Sequence, residues 1–487
     1  MIQAQKEGEK TVTITESEYV RLLSLESQVA ELKRLIFGSK SERFIPTDSQ
    51  QTTLFDTVAE ATEEPVTEQV SYERKLVKKD KQKPVRALLP AHLPRQVEVI
   101  EPDELVEGMK KIGEEVTEIL EHIPGKLYVR PKYVKGDQDG VYIGELPSLP
   151  LPKSNAGASL LAHIMVSKFV DHLPYHRQIQ MFKRSGVVLS ASTFNDWFNA
   201  TARLLEPLYQ ALVEQAQAQG YLQADESPIK VQDGHKKGAT HMGYHWVYHA
   251  PQQKLAVFDY QPSRSGKGPQ DFLNTFQGSL QTDGYSAYDQ LGKRPGITLL
   301  ACMAHARRYF EKALDNDKDR ATYALKVIQS LYALERQAKE DDTIDLFMMR
   351  QQKALPMLTN WKEWLDQHQG KVLPKSSIGK AISYTLNLWP RLVRYTEQAT
   401  YQMDNNLIEN TIRPLAIGRK NYLFAGSHEA AQKAAMYYSF FACCKLNKVN
   451  PYLWLNTVIE QINDHTINQI NQLLPRHFAH LEQYRQV

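Results

Sequence analysis

Cysteine is scarce in this sequence. Among 487 residues there are three cysteines, Cys302 and the adjacent pair Cys443 and Cys444. Three thiols are too few for a disulfide framework, and such a low number is typical of proteins from a reducing compartment. Tetrahedral zinc sites need about four ligands, so any zinc site in this chain would have to rely largely on histidine.

Long apolar runs and a strong net charge are also missing. No hydrophobic stretch approaches the length that crosses a bilayer, and the first ten residues, MIQAQKEGEK, are polar, so we expect a cytoplasmic protein without a membrane partner. The formal net charge is only +3, so bulk charge neither requires nor excludes a nucleic-acid partner. With 42% hydrophobic and 24% charged residues, a chain of this length should fold into several domains.

The N-terminal segment carries a short heptad pattern. Its apolar positions alternate in steps of three and four: Leu22, Leu25, Val29, Leu32 and Ile36. The pattern predicts a helix or coiled coil over residues 1–45, and both self-association and packing of one amphipathic helix on its own chain are compatible with it. Residues 46–92 have no sustained periodicity and are predicted to be a flexible linker.

The next two segments differ in pattern. Residues 93–152 contain short β-type runs, such as KLYVRPKYV, between prolines and glycines, which predict a small β-rich module. Residues 153–215 predict two or three helices, with Gly186 at a turn and Ser190 or Ser192 as an N-cap. Helices joined by a glycine turn are compatible with helix-turn-helix DNA binding. The candidate DNA contacts there are Arg177, Lys183 and Arg184.

Strand patterns dominate from about residue 218 to 305. YLQADESPIKV, HMGYHWVYHA and KLAVFDYQP predict three antiparallel-looking strands, after which helices and strands alternate through GSLQTDGYSAY and ITLLACMAHA. This order predicts a mixed α/β, ribonuclease H-like sheet. Residues 306 to about 400 and the tail to 487 are predicted to be mostly helical. Within HMGYHWVYHA, His241, His245 and His249 would share one side of a strand rather than form a metal-binding helix face.

Three acidic residues stand where distant parts of the chain could converge. Asp225 and Asp283 each close a β-type run, and Glu409 should lie in a helix that begins after Asn406. Phosphodiester cleavage needs an activated oxygen nucleophile and a stabilised leaving oxygen, which two divalent ions roughly 3.5–4 Å apart can supply. Carboxylates suit Mg²⁺, which prefers hard oxygen ligands. Arg413 would share the helix face of Glu409 and could pair with it or hold a DNA phosphate.

Several sequence words occur in an order and spacing that resemble the insertion sequence 66 family of transposases. They are ADESP, GYHWVY, PSRSG, QTDGYSAY, CMAHARRYF, PKSSIGKAI, MDNNLIENTIRP and IGRKNYLFAGS. The resemblance extends to IFGSKSER near the N-terminus and to VSKFVDHLPYHRQIQMFKRSGVVLSASTFNDW, so that it covers nearly the whole chain.

The resemblance implies a catalytic domain over residues 216–425 with a ribonuclease H-like core and a helical insertion at about 311–400, followed by a C-terminal helical domain over 426–487. It implies that Asp225, Asp283 and Glu409 are the catalytic and metal-binding acids of a DDE transposase, with Mg²⁺ or Mn²⁺, two ions in all, as cofactor. The implied reaction is hydrolysis at a transposon end, followed by attack of the freed 3′ hydroxyl on target DNA. The implied partners are transposon-end and target DNA, further copies of the chain and small accessory proteins, in a bacterial, nucleoid-associated setting.

Other candidate residues carry weaker signals. Cys302 and His305 form a CxxH unit that the family shares, but two ligands do not make a zinc site, so a packing role in the catalytic core is favoured. Further basic residues could contact DNA phosphates as a group: Arg264, Arg307, Arg308, Arg413, Arg419 and Lys420.

The sequence departs from the family pattern in the β-rich module. Family members commonly carry cysteine pairs there as a zinc-binding module, whereas residues 93–152 contain no cysteine, and Lys135 and Gln138 stand near the expected second pair. The module could keep its fold by apolar packing alone, or recognition of the DNA ends could be altered. Two other functions therefore stay open: a catalytically silent DNA-binding protein derived from a transposase, and a ribonuclease H-like nuclease that cuts without joining.

Overall fold

The computed structural model describes residues 95–101, 110–120, 125–135, 139–143, 145, 148–152, 154–232, 234 and 238–485. The predicted N-terminal coiled coil and the linker after it lie outside the described residues. The remainder is mixed α/β, as predicted, with two separate sheets and predominantly helical segments around and after the second. No helix in the described part of the chain is long and apolar enough to span a bilayer.

The first sheet lies within the segment predicted to be β-rich. Its strands are β1 (Arg95–Val99), β2 (Lys110–Ile119), β3 (Gly125–Lys135) and β4 (Asp139–Ile143). The long strand β3 pairs antiparallel with β2, parallel with β1 over its first half and antiparallel with β4 over its second half. Four apolar side chains of β1 and β2 are each more than half exposed: Val97, Val99, Ile112 and Val116.

Three helices follow this sheet: α1 (Ala158–Phe169), α2 (Tyr175–Arg184) and α3 (Ala191–Gln217). Gly186 has a φ of +82°, which glycine tolerates, and it makes the turn between α2 and α3. Ser190 is the N-cap of α3, where its side chain accepts a hydrogen bond from the Thr193 N–H at 3.0 Å. The turn and the cap are therefore as predicted. The three basic residues of α2, Arg177, Lys183 and Arg184, are exposed.

The second sheet has the strand order β7-β6-β5-β8-β9. Its strands are β5 (Tyr221–Gln232), β6 (Thr240–Ala250), β7 (Leu255–Gln261), β8 (Gly278–Thr282) and β9 (Ile297–Ala301), with the short helix α4 (Lys267–Phe272) before β8. Strands β5, β6 and β7 pair antiparallel, whereas β8 runs parallel to β5 and β9 parallel to β8. The predicted three antiparallel strands are present, and the three histidines of β6 lie on a strand.

The helices after β9 divide between two hydrophobic cores. They are α5 (Met303–Lys312), α6 (Lys318–Glu340), α7 (Leu346–Met349), α8 (Leu355–Gln369), α9 (Ser377–Asn387), α10 (Trp389–Leu392), α11 (Asn406–Tyr422), α12 (His428–Leu446) and α13 (Pro451–Gln461). Helices α5, α6, α8, α9 and α10 pack with the end of β9 in one core around buried side chains such as Trp361 and Ile382. Helices α11 to α13 join α1 and α3 in the core that covers the second sheet. The stretch 437–444 of α12 is buried, as its apolar sequence predicted.

Candidate active site

The pairing of two parallel strands brings Asp225 and Asp283 to neighbouring positions. Strand β8 pairs with β5 only at Tyr221–Gln223, where Gln223 lies opposite Gln281. Asp225 lies two residues after Gln223, and Asp283 lies two residues after Gln281. The prediction that Asp225 closes its strand is wrong, because β6 continues to pair with β5 as far as Gln232. The pairing of β5 with β8, in contrast, ends at Gln223, and this leaves an open edge of β5 beside Asp225.

A tight turn holds Asp283 directly after β8. Gly284 has a φ of +89°, and a Cβ atom at this position would lie 2.4 Å from Cδ1 of Leu388, so glycine is required here. The Tyr285 N–H donates to Oδ1 of Asp283 at 2.8 Å, and the Tyr384 hydroxyl donates to its carbonyl oxygen at 2.5 Å. The backbone and one carboxylate oxygen of Asp283 are therefore fixed by neighbours.

Buried amides next to the acids hold the segment that leads to α11. Gln223 donates to Oε1 of Gln281 at 3.0 Å and to the Asp404 carbonyl at 2.9 Å. Gln281 donates to the Gln402 carbonyl at 2.8 Å and accepts from the Tyr221 hydroxyl at 2.7 Å. Both glutamines are fully buried, and unpaired amides would be costly at such positions. The network therefore ties residues 402–404 to the sheet two positions before each aspartate.

Cys302 fixes the start of α11 through a hydrogen bond. Its sulfur accepts a hydrogen bond from the Asn405 N–H at 3.3 Å. The N–H of the residue after Cys302, Met303, donates to the Met403 carbonyl at 3.1 Å. Burial raises the pKa of the Cys302 thiol to about 12, which keeps it protonated. Cys443 lies elsewhere, on α12, where its thiol hydrogen-bonds the backbone of Ala256.

The helical insertion supports the same segment through Arg350, which is 2% exposed. Its guanidinium forms two hydrogen bonds with the carboxylate of Glu335, at 2.8 and 2.6 Å. It also donates to the carbonyls of Tyr395, Gln398 and Tyr401. All five donors of the group are thereby used. The insertion therefore fixes the path of the chain just before the predicted catalytic glutamate.

Glu409 lies in the first turn of α11, and its carboxylate is paired with Arg308 of α5. Nη2 of Arg308 lies 2.6 Å from Oε1 and 2.5 Å from Oε2 of Glu409. The two side chains are about one third exposed. Glu409 thus has a partner other than the one that helix spacing suggested, since Arg413 is exposed and forms no ion pair with it.

The three predicted acids lie within each other's electrostatic field. Burial raises the pKa of Asp225 to about 8, and the neighbouring carboxylates of Glu226, Asp283 and Glu409 add to this effect. Among the residues that the structure describes, however, no three His, Cys, Asp or Glu side chains form a ready metal-binding cluster. Asp225 and Asp283 lie on adjacent strands, while the Glu409 carboxylate is directed to Arg308.

Glu226 is a site residue that the sequence analysis missed. Its side chain is 3% exposed and forms an ion pair with Arg264, whose guanidinium also lies 4.1 Å from the ring centroid of Tyr285. Burial raises the pKa of Glu226, while the hydrogen bond from Arg264 opposes that rise. The sequence signal is the second acid of ADESP, adjacent to Asp225. Adjacent residues of a strand point to opposite faces, so the pattern alone does not assign both acids to one site.

The other predicted DNA contacts are distributed around the site. Arg307 pairs with Glu311 along α5, and Arg308 Nη1 lies 3.2 Å from Nε2 of His305. Arg419 donates to the Ser227 hydroxyl at 3.0 Å and to the Pro228 carbonyl at 2.5 Å, which ties the end of α11 to β5. Lys420 is exposed in the same last turn.

Comparisons with known proteins show which family the chain is similar to. The family described as "Transposase IS66 family" matches residues 153–433, "Transposase C of IS166 homeodomain" matches residues 24–97, and "IS66 C-terminal element" matches residues 439–475. The uncharacterized protein y4jD of Sinorhizobium fredii (strain NBRC 101917 / NGR234) is 31% identical, over 93% of this chain and 94% of that protein. From the same organism, the uncharacterized protein y4hP is 30% identical over 93% of this chain and 88% of its own length. The chain belongs to the IS66 family of transposases.

Proposed function

We propose that this protein is an active DDE transposase that cuts and joins DNA strands with Asp225, Asp283 and Glu409. The observation that carries the proposal is the convergence of these acids. Asp225 and Asp283 each lie two residues beyond the paired residues Gln223 and Gln281 of two adjacent parallel strands. Glu409 lies in the first turn of a helix whose start is hydrogen-bonded to the same sheet. The strand order and directions of the second sheet are those expected of a ribonuclease H-like core, and the helical insertion precedes the glutamate as the family pattern implies.

The donor set fits hard divalent cations, which we propose to be two Mg²⁺ or Mn²⁺ ions. Asp225 is a largely buried carboxylate whose pKa is raised to about 8 by burial and by neighbouring acids, and no basic residue is paired with it. A divalent cation would compensate for that concentration of negative charge and displace the proton. Bound there, such ions would activate the attacking oxygen and stabilise the leaving 3′ oxygen.

The protein's own residues would orient the acids and the DNA. The turn at Gly284 and the hydrogen bond from Tyr285 fix Asp283, while Cys302 and the buried glutamines fix the start of α11. Arg308 pairs with Glu409, and a DNA backbone phosphate would displace Glu409 as the partner of its guanidinium. That exchange would free the carboxylate for a cation, so DNA binding and completion of the site would be coupled.

The test is strand cutting by the full chain on a labelled duplex that carries the terminal repeat of its own element. We expect Mg²⁺-dependent nicking and, with target DNA present, joined products. Asp225→Asn, Asp283→Asn and Glu409→Gln should each lower the rate by about 10²-fold or more, because each removes a proposed metal ligand. The exposed Asp464→Asn should cut like the wild type.

The outcomes separate the competing functions. Binding of the duplex without nicking by the intact protein would refute the proposal in favour of a silent DNA-binding protein. Nicking without joined products would indicate a nuclease. Cutting that survives all three acid substitutions would show that the chemistry lies elsewhere.

A further inference from the structure

A second candidate site lies between the helices α1 to α3 and the helices α11 and α12. It is a cavity of about 360 Å³, within the roughly 300–1,000 Å³ that is usual for small-ligand sites. Aromatic rings form much of its wall: Tyr175, Phe198, Tyr422 and Phe424. At its rim Phe424 is 43% exposed, and Leu423 beside it is 64% exposed. Leu423 has a φ of +65°, an uncommon and strained conformation for a branched side chain.

A buried histidine faces this cavity without a partner. His245 of β6 lines the cavity and is 0% exposed, and neither ring nitrogen has a hydrogen-bond partner among the described residues. Leaving such a group unpaired is costly. Burial lowers the pKa of His245 to about 3, so its ring is neutral and offers one donor and one acceptor. The catalytic chemistry proposed above does not use it.

Lys168 adds a cationic group that has no carboxylate partner. Its Nζ lies 3.6 Å from the ring centroid of Tyr175 and 5.3 Å from that of Phe198, and among the described residues no charged side chain acts on its pKa. Burial lowers the pKa of Lys168 to about 7, so its charge is partial at neutral pH. One weakened cation and a neutral imidazole are poorly suited to a free phosphate, which calls for several permanent positive charges. They suit a flat, neutral ligand with polar edges.

We propose that this aromatic pocket receives one unstacked nucleobase of the bound DNA, with the base ring against the aromatic wall and its polar edge toward His245. This inference rests on the proposed function, which supplies the DNA. Aromatic side chains are the usual platforms for unstacked bases. Ile229, which lines the pocket, lies four residues from Asp225 along β5, roughly 13 Å at 3.3 Å per residue. A base about four nucleotides from the cut phosphate could reach it.

The charged side chains that line the pocket are Lys168 and Glu429, and further basic residues lie close in the chain to two of its aromatic residues. Arg419 and Lys420 lie in the last turn of α11, just before the rim residues Leu423 and Phe424. Helix α2, which begins with Tyr175 of the wall, carries three exposed basic residues, Arg177, Lys183 and Arg184. A DNA strand that follows these charges would pass the mouth of the pocket.

The experiment uses the full chain and an oligonucleotide with one 2-aminopurine, whose fluorescence falls when the base stacks on an aromatic ring. The probe is tested single-stranded and within a duplex. We expect the wild type to quench the single-stranded probe. Phe424→Ala should weaken its binding by about 5- to 150-fold, the range for loss of one stacking platform, and Lys168→Met should reduce the quench. Leu407→Ala is the matched control, because Leu407 on α11 is 44% exposed, close to the 43% of Phe424, but is not aromatic.

The results separate this inference from the proposed function. Equal quench and affinity in the wild type and in Phe424→Ala would overturn the pocket assignment even if the protein cuts DNA. Quench that depends on Phe424 in a protein that cuts no DNA would support the pocket while the proposed function fails. Free deoxynucleotides that bind as tightly as the oligonucleotide would identify a nucleotide site and overturn the assignment to a DNA base.

Discussion

Nη2 of Arg308 lies within hydrogen-bond distance of both carboxylate oxygens of Glu409, at 2.6 and 2.5 Å. The two residues are separated by about a hundred positions and come from different helices, α5 and α11. A carboxylate engaged in this way has fewer lone pairs available for a cation. In the proposed metal site, Arg308 would therefore compete with the cation for the third acid.

This competition predicts the behaviour of Arg308→Gln. Loss of the guanidinium should lower the Mg²⁺ concentration needed for half-maximal nicking by about 1.4- to 5-fold, because a partly exposed ion pair contributes roughly 0.2–1 kcal/mol. The maximal rate should fall if Arg308 also contacts a phosphate. Arg320→Gln, which breaks a similarly exposed pair with Asp317, is the control and should leave the Mg²⁺ dependence unchanged. An unchanged or higher Mg²⁺ requirement in Arg308→Gln would refute the competition.

The raised pKa of Asp225 predicts a pH-dependent stability of the metal-free protein. An unfolded aspartate has a pKa of about 3.9, whereas in the fold its pKa is about 8. Between these values the folded state holds a proton that the unfolded state has lost, so stability declines as pH rises from about 4 to 8. Asp225→Asn removes that decline.

Thermal unfolding in EDTA should therefore give Asp225→Asn a higher melting temperature than the wild type at pH 9. The pKa difference corresponds to roughly 5 kcal/mol, which at roughly 2–4 °C per kcal/mol is a rise on the order of 10 °C. The difference should vanish near pH 4. Added Mg²⁺ should raise the melting temperature of the wild type at pH 9 and leave that of Asp225→Asn nearly unchanged. Parallel pH profiles for the two proteins would contradict the assignment.

Glu226 should act on Asp225 through its charge. Its carboxylate is the neighbouring charge that most raises the pKa of Asp225. Glu226→Gln keeps a hydrogen-bond acceptor for Arg264 but removes the charge, so the pH range in which the metal-free protein loses stability should move to lower values. Arg264→Gln leaves the Glu226 charge in place and should not cause that downward movement. The same shift in both variants would indicate a general structural effect instead.

Cys302→Ala should impair cutting more than its effect on stability explains. It removes the sulfur that accepts the Asn405 N–H at the start of α11, which costs about 1–3 kcal/mol if that N–H stays unpaired. Cys444→Ala, at an equally buried thiol on α12, is the control for the lost volume. At matched stability the nicking rate should fall only in Cys302→Ala, and it should be largely restored in Cys302→Ser. Equal rates in both alanine variants would mean that Cys302 only fills space.

Much of the fold could be read from periodicity. Alternating apolar residues predicted β5, β6 and β7, and the glycine turn at Gly186 with the cap at Ser190 predicted the break between α2 and α3. These features depend on neighbours in the chain, so local sequence suffices to predict them. The burial of residues 437–444 followed from their continuous apolar character.

The sequence by itself determined the family, the candidate acids Asp225, Asp283 and Glu409, and which long segments are rich in strands or in helices. Only the tertiary structure decided that Asp225 lies inside a long strand, that Glu409 pairs with Arg308 rather than Arg413, and that Glu226 joins the site. It also decided that His245 faces an aromatic cavity. Strand pairing, helix docking and cavities bring together residues far apart in the chain. No periodicity or spacing within one segment encodes such contacts.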